Sequence, residues 1–387
     1  MKYLTLGSLA VAALVLLGCA SSQQQALLQA VPTSRADLVQ IPGLVREPLP
    51  VTVTLPDGTL AQLEGSVVRP DLPGRFPLVL ISHGTSSEWS DRQQVNAAQY
   101  VAESVAFARR GWASVTMVRP GFGRSTGPFL EDVGPCDNRD FVAAGTRMGG
   151  EVLTILQALR QQNPSWLDNT RVLLVGQSGG GLASLAAAAT HPAGVLGVLN
   201  FAGGDGAPIE GNSFCQPERL IQAMAVFGKD VRIPSLWVYA ANDTRFPPKL
   251  ASAMFDAYKG DGAPAKMVPV AAYGDEGHNY IEAVDQWRPL VDSFLMAQRL
   301  PATPDRQESV AYLDPPAVLQ SATGQSFFSQ YLKLSNYEKA YAVGSNGGAG
   351  YADGYRTIGA AKMIALQLCE RRDSGCHIYA IGDRLAP

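Results

Sequence analysis

Arg171-Val172-Leu173-Leu174-Val175-Gly176-Gln177-Ser178-Gly179-Gly180-Gly181-Leu182 is the stretch from which the rest of the chain can be read. Its first half is a short apolar run of the kind that forms a strand buried on both faces, and it passes into the alanine-rich residues 182–189, which suit a helix. Between them lies Gly-x-Ser-x-Gly. A serine at such a strand-to-helix turn is lifted above the sheet edge on strained backbone. The flanking positions must be glycine, because a Cβ there meets the neighbouring strand or helix. The N–H groups and positive dipole end of the following helix face the point where charge would build on a reacting carbonyl oxygen. Ser178 therefore reads as a nucleophile. The pentapeptide alone arises often by chance, and it is the strand before it and the helix after it that give it meaning.

Around this turn, from residue 51 onward, the chain alternates strand and helix signals, the pattern of an α/β domain. Residues 51–55 and 61–68, separated by Pro56-Asp57-Gly58, read as a hairpin opening the sheet. Residues 76–81 form a buried strand that runs into Ser82-His83-Gly84-Thr85. One helix is expected next, with Val95, Ala98, Val101, Ala102 and Val105 on a single face, ending at Gly111. A strand over 112–118 delivers Arg119-Pro120-Gly121-Phe122-Gly123-Arg124-Ser125, residues 148–159 are helical, and the Ser178 strand follows. Residues 195–201 make the sixth strand. After it, residues 206–232 interrupt the alternation as a short insertion containing Cys215 and a helix over 218–227. The strand 234–240 leads to Asn242-Asp243-Thr244, a helix spans 249–258, and the last strand, 265–271, ends before Gly274-Asp275-Glu276-Gly277-His278. A helix over 281–299 closes the domain.

These features resemble the α/β-hydrolase superfamily, and within it the dienelactone-hydrolase-like and prolyl-oligopeptidase-like serine hydrolases. Four matches carry the likeness across residues 51–300: His83-Gly84 after the third strand, Gly121-x-Gly123-x-Ser125 after the fourth, the turn at Ser178, and Asp243 then His278 after late strands. The resemblance implies the α/β-hydrolase fold, a mostly parallel central sheet with helices on both faces. It also implies a triad in the chain order Ser178, Asp243, His278, with an oxyanion hole made by the N–H of Gly179 and one from Gly84 or Thr85. Dienelactone hydrolase itself uses a cysteine nucleophile, so its lactone substrate does not carry over to Ser178.

The chain has four histidines. His83 belongs to the oxyanion loop, where packing or a supporting hydrogen bond suits it, His191 to a helix end, and His377 to the tail, which leaves His278 as base. Two carboxylates compete as the acid. Asp243 is preferred because it ends a clear strand and precedes Thr244-x-Phe246-x-Pro248, a pattern similar to the acid loop of these hydrolases. Asp205, in a glycine-rich turn, is explained by a turn hydrogen bond or by substrate positioning. The expected chemistry is transfer of an acyl group from a small-molecule ester to water, with no metal and no organic cofactor. A serine peptidase of the cell envelope, or an inert envelope-binding protein, are the alternatives the sequence leaves open.

With 387 residues, 46% of them hydrophobic and 17% charged, the chain has ample material for a core. A net charge of −3 gives no basic footprint, so no nucleic-acid partner is expected. Lys2, the mostly apolar residues 4–17 and Leu16-Leu17-Gly18-Cys19 read as a signal peptide over 1–18. The site resembles the bacterial lipobox, which implies a lipid anchor on Cys19, and Ala20 after it points to the periplasmic face of the outer membrane in a two-membrane cell. Residues 19–50 are then a tether and N-terminal extension.

Export places the other cysteines in an oxidising compartment. Proximity pairs Cys369 with Cys376 and leaves Cys136 with Cys215, and none of them has a metal-ligand spacing. Residues 301–334 read as a proline-containing linker, and 335–387 as a small disulfide-stapled C-terminal module with a helix over 357–368 and a strand over 377–381. Its Gly344-x-x-Gly347-Gly348-x-Gly350 run lacks the features of a phosphate loop. Nothing in the sequence identifies a protein partner.

Overall fold

The computed structural model of the protein describes residues 30–86, 88–206, 208–209, 213–260, 262–302, 313–334 and 336–386. Cys19 and the apolar leader lie outside the described residues. Contacts divide the chain into two compact units, Gln40–Ser309 and a second that joins Val310–Pro387 to residues preceding Gln40.

In chain order the first unit contains β1 Leu44–Pro48, β2 Val51–Thr54, β3 Leu60–Leu63, β4 Gly65–Pro70, β5 Phe76–Ser82, α1 Trp89–Gln94, α2 Val101–Ala108, β6 Ala113–Met117, α3 Phe141–Gln162, β7 Leu167–Gln177 and α4 Gly179–Ala188. There follow β8 Val195–Phe201, β9 Pro208–Ile209, β10 Ser213–Phe214, α5 Pro217–Gly228, β11 Ser235–Ala240, α6 Pro248–Lys259, β12 Ala265–Val270, a 3-10 segment Gly277–Glu282 and α7 Val284–Ala297. Eight strands form one sheet in the order β1-β4-β6-β5-β7-β8-β11-β12. Strands β6, β5, β7, β8, β11 and β12 are parallel, and β4 alone runs against them, pairing antiparallel with both β1 and β6. This is the α/β-hydrolase fold.

Strand β7 shows why both faces had to be apolar. Val172 and Leu174 join the core shared with α3, α4, α5 and α6, whereas Leu173 and Val175 join the core of α2 and α7, and all four are fully buried. Each such aliphatic side chain contributes roughly 1.5–3 kcal/mol on burial. On the second face Phe107 stacks on Trp287 at 5.6 Å.

Two sequence expectations change here. The hairpin forms, but β2 and β3 make a separate two-stranded sheet, with Val51, Val53, Ala61 and Leu63 buried on one side. The main sheet opens with β1, inside the stretch expected to be an extension. The single helix expected after β5 is two, α1 and α2. The Asn96 side chain accepts the Ala98 N–H at 3.0 Å, a local turn that competes with helical bonding.

The second unit contains α8 Ala322–Leu332, β13 Ala340–Val343, β14 Ala349–Ala352, α9 Ile358–Glu370, β15 His377–Ile381 and β16 Arg384–Leu385. Its antiparallel sheet runs β14-β13-β15-β16. Along β13, Tyr341 and Val343 pack with Phe328 and Tyr331 of α8, and Ala340 and Ala342 pack with α9. Helix α8 lies in the span read as linker. The glycine run turns from β13 to β14, with Asp373 accepting the N–H groups of Asn346 (2.7 Å) and Gly348 (2.9 Å). Bonds from Asn346 first, then from these backbone groups, hold the Asp373 carboxyl down at about 2. Cys369 is bonded to Cys376 and Cys136 to Cys215. No helix among the described residues is long and apolar enough to cross a membrane.

Candidate active site

Ser178 stands between β7 and α4 at φ 56° and ψ −125°, a backbone conformation that costs on the order of 1–3 kcal/mol for a non-glycine residue. Its N–H donates to Phe201 O (3.0 Å), and its carbonyl accepts from Gly181 (2.9 Å), Leu182 (3.2 Å) and Gly204 (3.1 Å). These bonds hold the strain in place. A Cβ on Gly176 would strike the Gly180 carbonyl, and one on Gly180 would strike the Ser82 and His83 carbonyls at the end of β5. The first intrahelical bond of α4 is made by Gly181, so the Gly179 and Gly180 N–H groups precede it at the helix start.

Opposite this turn, the loop after β5 approaches closely. A Cβ on Gly84 would lie 3.3 Å from Ser178 Cβ and 3.7 Å from its Oγ, and one on Gly179 would strike the Thr85 side chain. Gly84, Thr85 and Gly179 thus surround Ser178. The loop is braced from below by Arg119, whose side chain is fully buried. Its Nη1 donates to His83 O (2.8 Å), its Nη2 to Thr85 Oγ1 (3.3 Å), and it forms a buried ion pair with Glu131. Thr85 Oγ1 donates to Glu131 Oε2. Glu151 Oε2 is 3.8 Å from Arg119 Nε, and burial, then the nearby Glu131 charge, push its carboxyl well above the usual range. None of Arg119, Glu131 or Glu151 is marked by a motif as part of a site.

His83 has both ring nitrogens engaged: Nδ1 donates to Gly84 O (2.6 Å) and Nε2 accepts the Arg119 N–H (3.0 Å). Burial holds it neutral, and it packs against Phe122 at 4.6 Å. Ser125 is also committed, donating to Val118 O (2.6 Å) and accepting the Glu64 N–H (2.9 Å). Both residues are struts.

Asp243, after β11, and His278, in the 3-10 segment after β12, meet with Nδ1 3.3 Å from the carboxylate. Phe246 lies beside the imidazole at 5.5 Å. Three residues that carried no motif signal hold this pair. Glu276 accepts the N–H of His278 (2.9 Å) and of Thr244 (3.0 Å), tying the His278 loop to the Asp243 loop. Asn242 accepts the Tyr273 N–H (2.9 Å). Gln177, just before Ser178, donates to His278 O (3.3 Å) and accepts from Tyr100 Oη (3.2 Å).

Ser178 and His278 line one cavity of about 480 Å³, with Gly84, Thr85, Glu131 and Asp205. Asp205 stands apart from the His278 pair: its Oδ1 accepts the Gly206 N–H at 2.6 Å. Among the described residues no cluster of three His, Cys, Asp or Glu side chains is placed to hold a metal ion.

Residues 78–340, more than half the chain, match the model of the Alpha/beta hydrolase family, and the chain belongs to that family. No curated protein matches it. Solved structures similar in fold include a protein assigned as a CIB-like hydrolase from Thermoplasma acidophilum (18% identity, TM-score 0.44, 67% of this chain and 100% of that one). Others are an esterase from Pyrococcus furiosus (15%, 0.45, 65% and 92%) and a protein assigned as a dienelactone hydrolase from Klebsiella pneumoniae (15%, 0.41, 66% and 98%).

Proposed function

We propose that the protein is a serine hydrolase that cleaves carboxylic esters of small molecules through Ser178, His278 and Asp243. The observation that carries this is the convergence on one cavity of a strained Ser178 at a helix start and an imidazole already paired with a carboxylate. His278 takes the Ser178 proton on Nε2 while Asp243 fixes the tautomer through Nδ1–H. Oγ attacks the carbonyl carbon, and the resulting oxyanion is held by the N–H of Gly179 and one from Gly84 or Thr85. Collapse passes the proton from His278 to the departing alcohol. Water, deprotonated by His278, then releases the acid and restores Ser178.

The same reading places the enzyme outside the cytoplasm, anchored through lipid on Cys19. The disulfides Cys136–Cys215 and Cys369–Cys376 support an oxidising location. A fluorophosphonate probe tests the nucleophile: wild type is labelled and Ser178→Ala is not, with circular dichroism confirming that the variant is folded. Labelling retained on another serine overturns the assignment. Mass spectrometry of the mature N-terminus tests the anchor, with an acylated Cys19 as the expected result.

A further inference from the structure

The triad leaves Asp205 without a task. The residue is 7% exposed and lines the active-site cavity. Its Oδ1 accepts the Gly206 N–H, but its Oδ2 is buried with no hydrogen-bond partner among the described residues. A buried polar atom left so costs on the order of 1–3 kcal/mol, which a ligand recovers by supplying the partner.

Arg139 lines the same cavity, and its Nε also lacks a partner among the described residues. Other groups of Arg139 are held. Its Nη1 donates to Gly134 O, its N–H to Gln216 Oε1 (2.7 Å), and its carbonyl accepts from Arg219 (2.8 Å). Gln216 is next to Cys215, whose bond to Cys136 fastens this wall.

Two residues that line one cavity therefore carry, between them, an unmet N–H donor and an unmet carboxyl oxygen. A hydroxyl satisfies both, accepting from the guanidinium and giving its proton to the carboxyl. An alkyl group satisfies neither. An ammonium has donors only, and it would approach the two guanidiniums, Arg119 and Arg139, whose charges already act on Asp205. We infer that the cavity selects esters bearing an additional hydroxyl group, which Asp205 and Arg139 bind; this rests on the esterase reading above. Burial chiefly, and the Glu131 charge, push the Asp205 carboxyl up to about 7, so near neutrality it meets a hydroxyl as donor or acceptor.

The test uses the full-length protein and matched esters. Glyceryl monoacetate against propyl acetate places the hydroxyls on the alcohol side, and methyl 3-hydroxybutyrate against methyl butyrate on the acyl side. Wild type should favour the hydroxylated member of at least one pair by on the order of tenfold in kcat/KM. That ratio should fall toward unity in Asp205→Ala and in Arg139→Ala. A ratio near unity for both pairs in wild type, acetylcholine preferred to glyceryl monoacetate, or a preference that survives both substitutions would each overturn the inference. Ligand-detected NMR with Ser178→Ala reads the same preference as binding. It therefore decides the point even if the protein turns over no ester, an outcome that would sink the esterase reading separately.

Discussion

Asp243 meets His278 Nδ1 at 3.3 Å while its Oδ1 accepts the N–H groups of Arg245 (2.9 Å) and Phe246 (2.8 Å). The backbone of the Asp243 loop thus holds the carboxylate from one side, so its position does not depend on the histidine. An acid anchored in this way can dictate which imidazole nitrogen carries the proton.

Asp243→Asn keeps the size of the side chain but offers an amide where the tautomer needs a carboxylate. It should lower kcat by roughly 10³- to 10⁴-fold, the size seen when a serine-protease triad loses its acid. Asp205→Asn should cost about tenfold or less on the same substrate, mainly through KM. Steady-state kinetics of both variants on p-nitrophenyl acetate decides the ranking, and the reverse order would move the acid to Asp205.

Thr85→Val removes the hydroxyl that joins the oxyanion loop to Glu131 while keeping the β-branched shape. The loop would then be held by Arg119 acting on His83 O, having lost the Thr85 hydroxyl's bonds to both Glu131 and Arg119 Nη2. The expected outcome is a kcat loss of about tenfold with little change in KM, because the donor is needed most when charge builds on oxygen. Equal loss in KM would assign Thr85 to substrate binding instead.

The turn at Ser178 was legible because several independent physical demands fall on consecutive residues. Both-face burial wrote the apolar run 172–175, and close backbone approach wrote Gly176 and Gly180. Strand β1 was not legible: Leu44-Val45-Arg46-Glu47-Pro48 carries two charged residues, yet Arg46 is fully buried and Glu47 faces Arg69 at 3.8 Å. Helix α8 was hidden by the prolines before it and by a polar sequence in which only Phe328 and Tyr331 are buried. The Arg119, Glu131 and Glu151 cluster lies in loops and one helix face, where neither period nor spacing marks a partner.

Glu103 of α2 is buried with one carboxyl oxygen unpartnered among the described residues, and burial first, then the Glu282 charge, raises it to about 8. An unfolded glutamate ionises near 4.5, so the folded state binds the proton more tightly. The stabilising contribution of this group is complete below about pH 4.5 and is lost as pH rises toward 8. Glu103→Gln mimics the neutral form and should match wild type near pH 4.5. Its stability should exceed that of wild type by a growing margin, on the order of a few kcal/mol, by pH 8. Urea denaturation across pH 4.5–8 reads the difference, and a constant offset would show that Glu103 ionises normally.

The two disulfides lie in different units, so their loss should have different consequences. Cys136–Cys215 closes a separation of 79 residues and Cys369–Cys376 one of 7. In the chain-entropy account, stabilisation grows as (3/2)RT times the logarithm of loop length, which makes the first bond worth roughly 2 kcal/mol more than the second. The Cys136–Cys215 bond also fastens the segment that carries Arg139 to the segment that carries Gln216, whose side chain accepts the Arg139 N–H. Cys136→Ser/Cys215→Ser should therefore lower the melting temperature of the catalytic unit and raise KM for hydroxylated esters, with a smaller effect on kcat. Cys369→Ser/Cys376→Ser should leave esterase kinetics near wild type and destabilise only the C-terminal unit. Differential scanning calorimetry with parallel kinetics separates the two, and a KM unchanged by the first pair of substitutions would show that Arg139 is positioned without the disulfide.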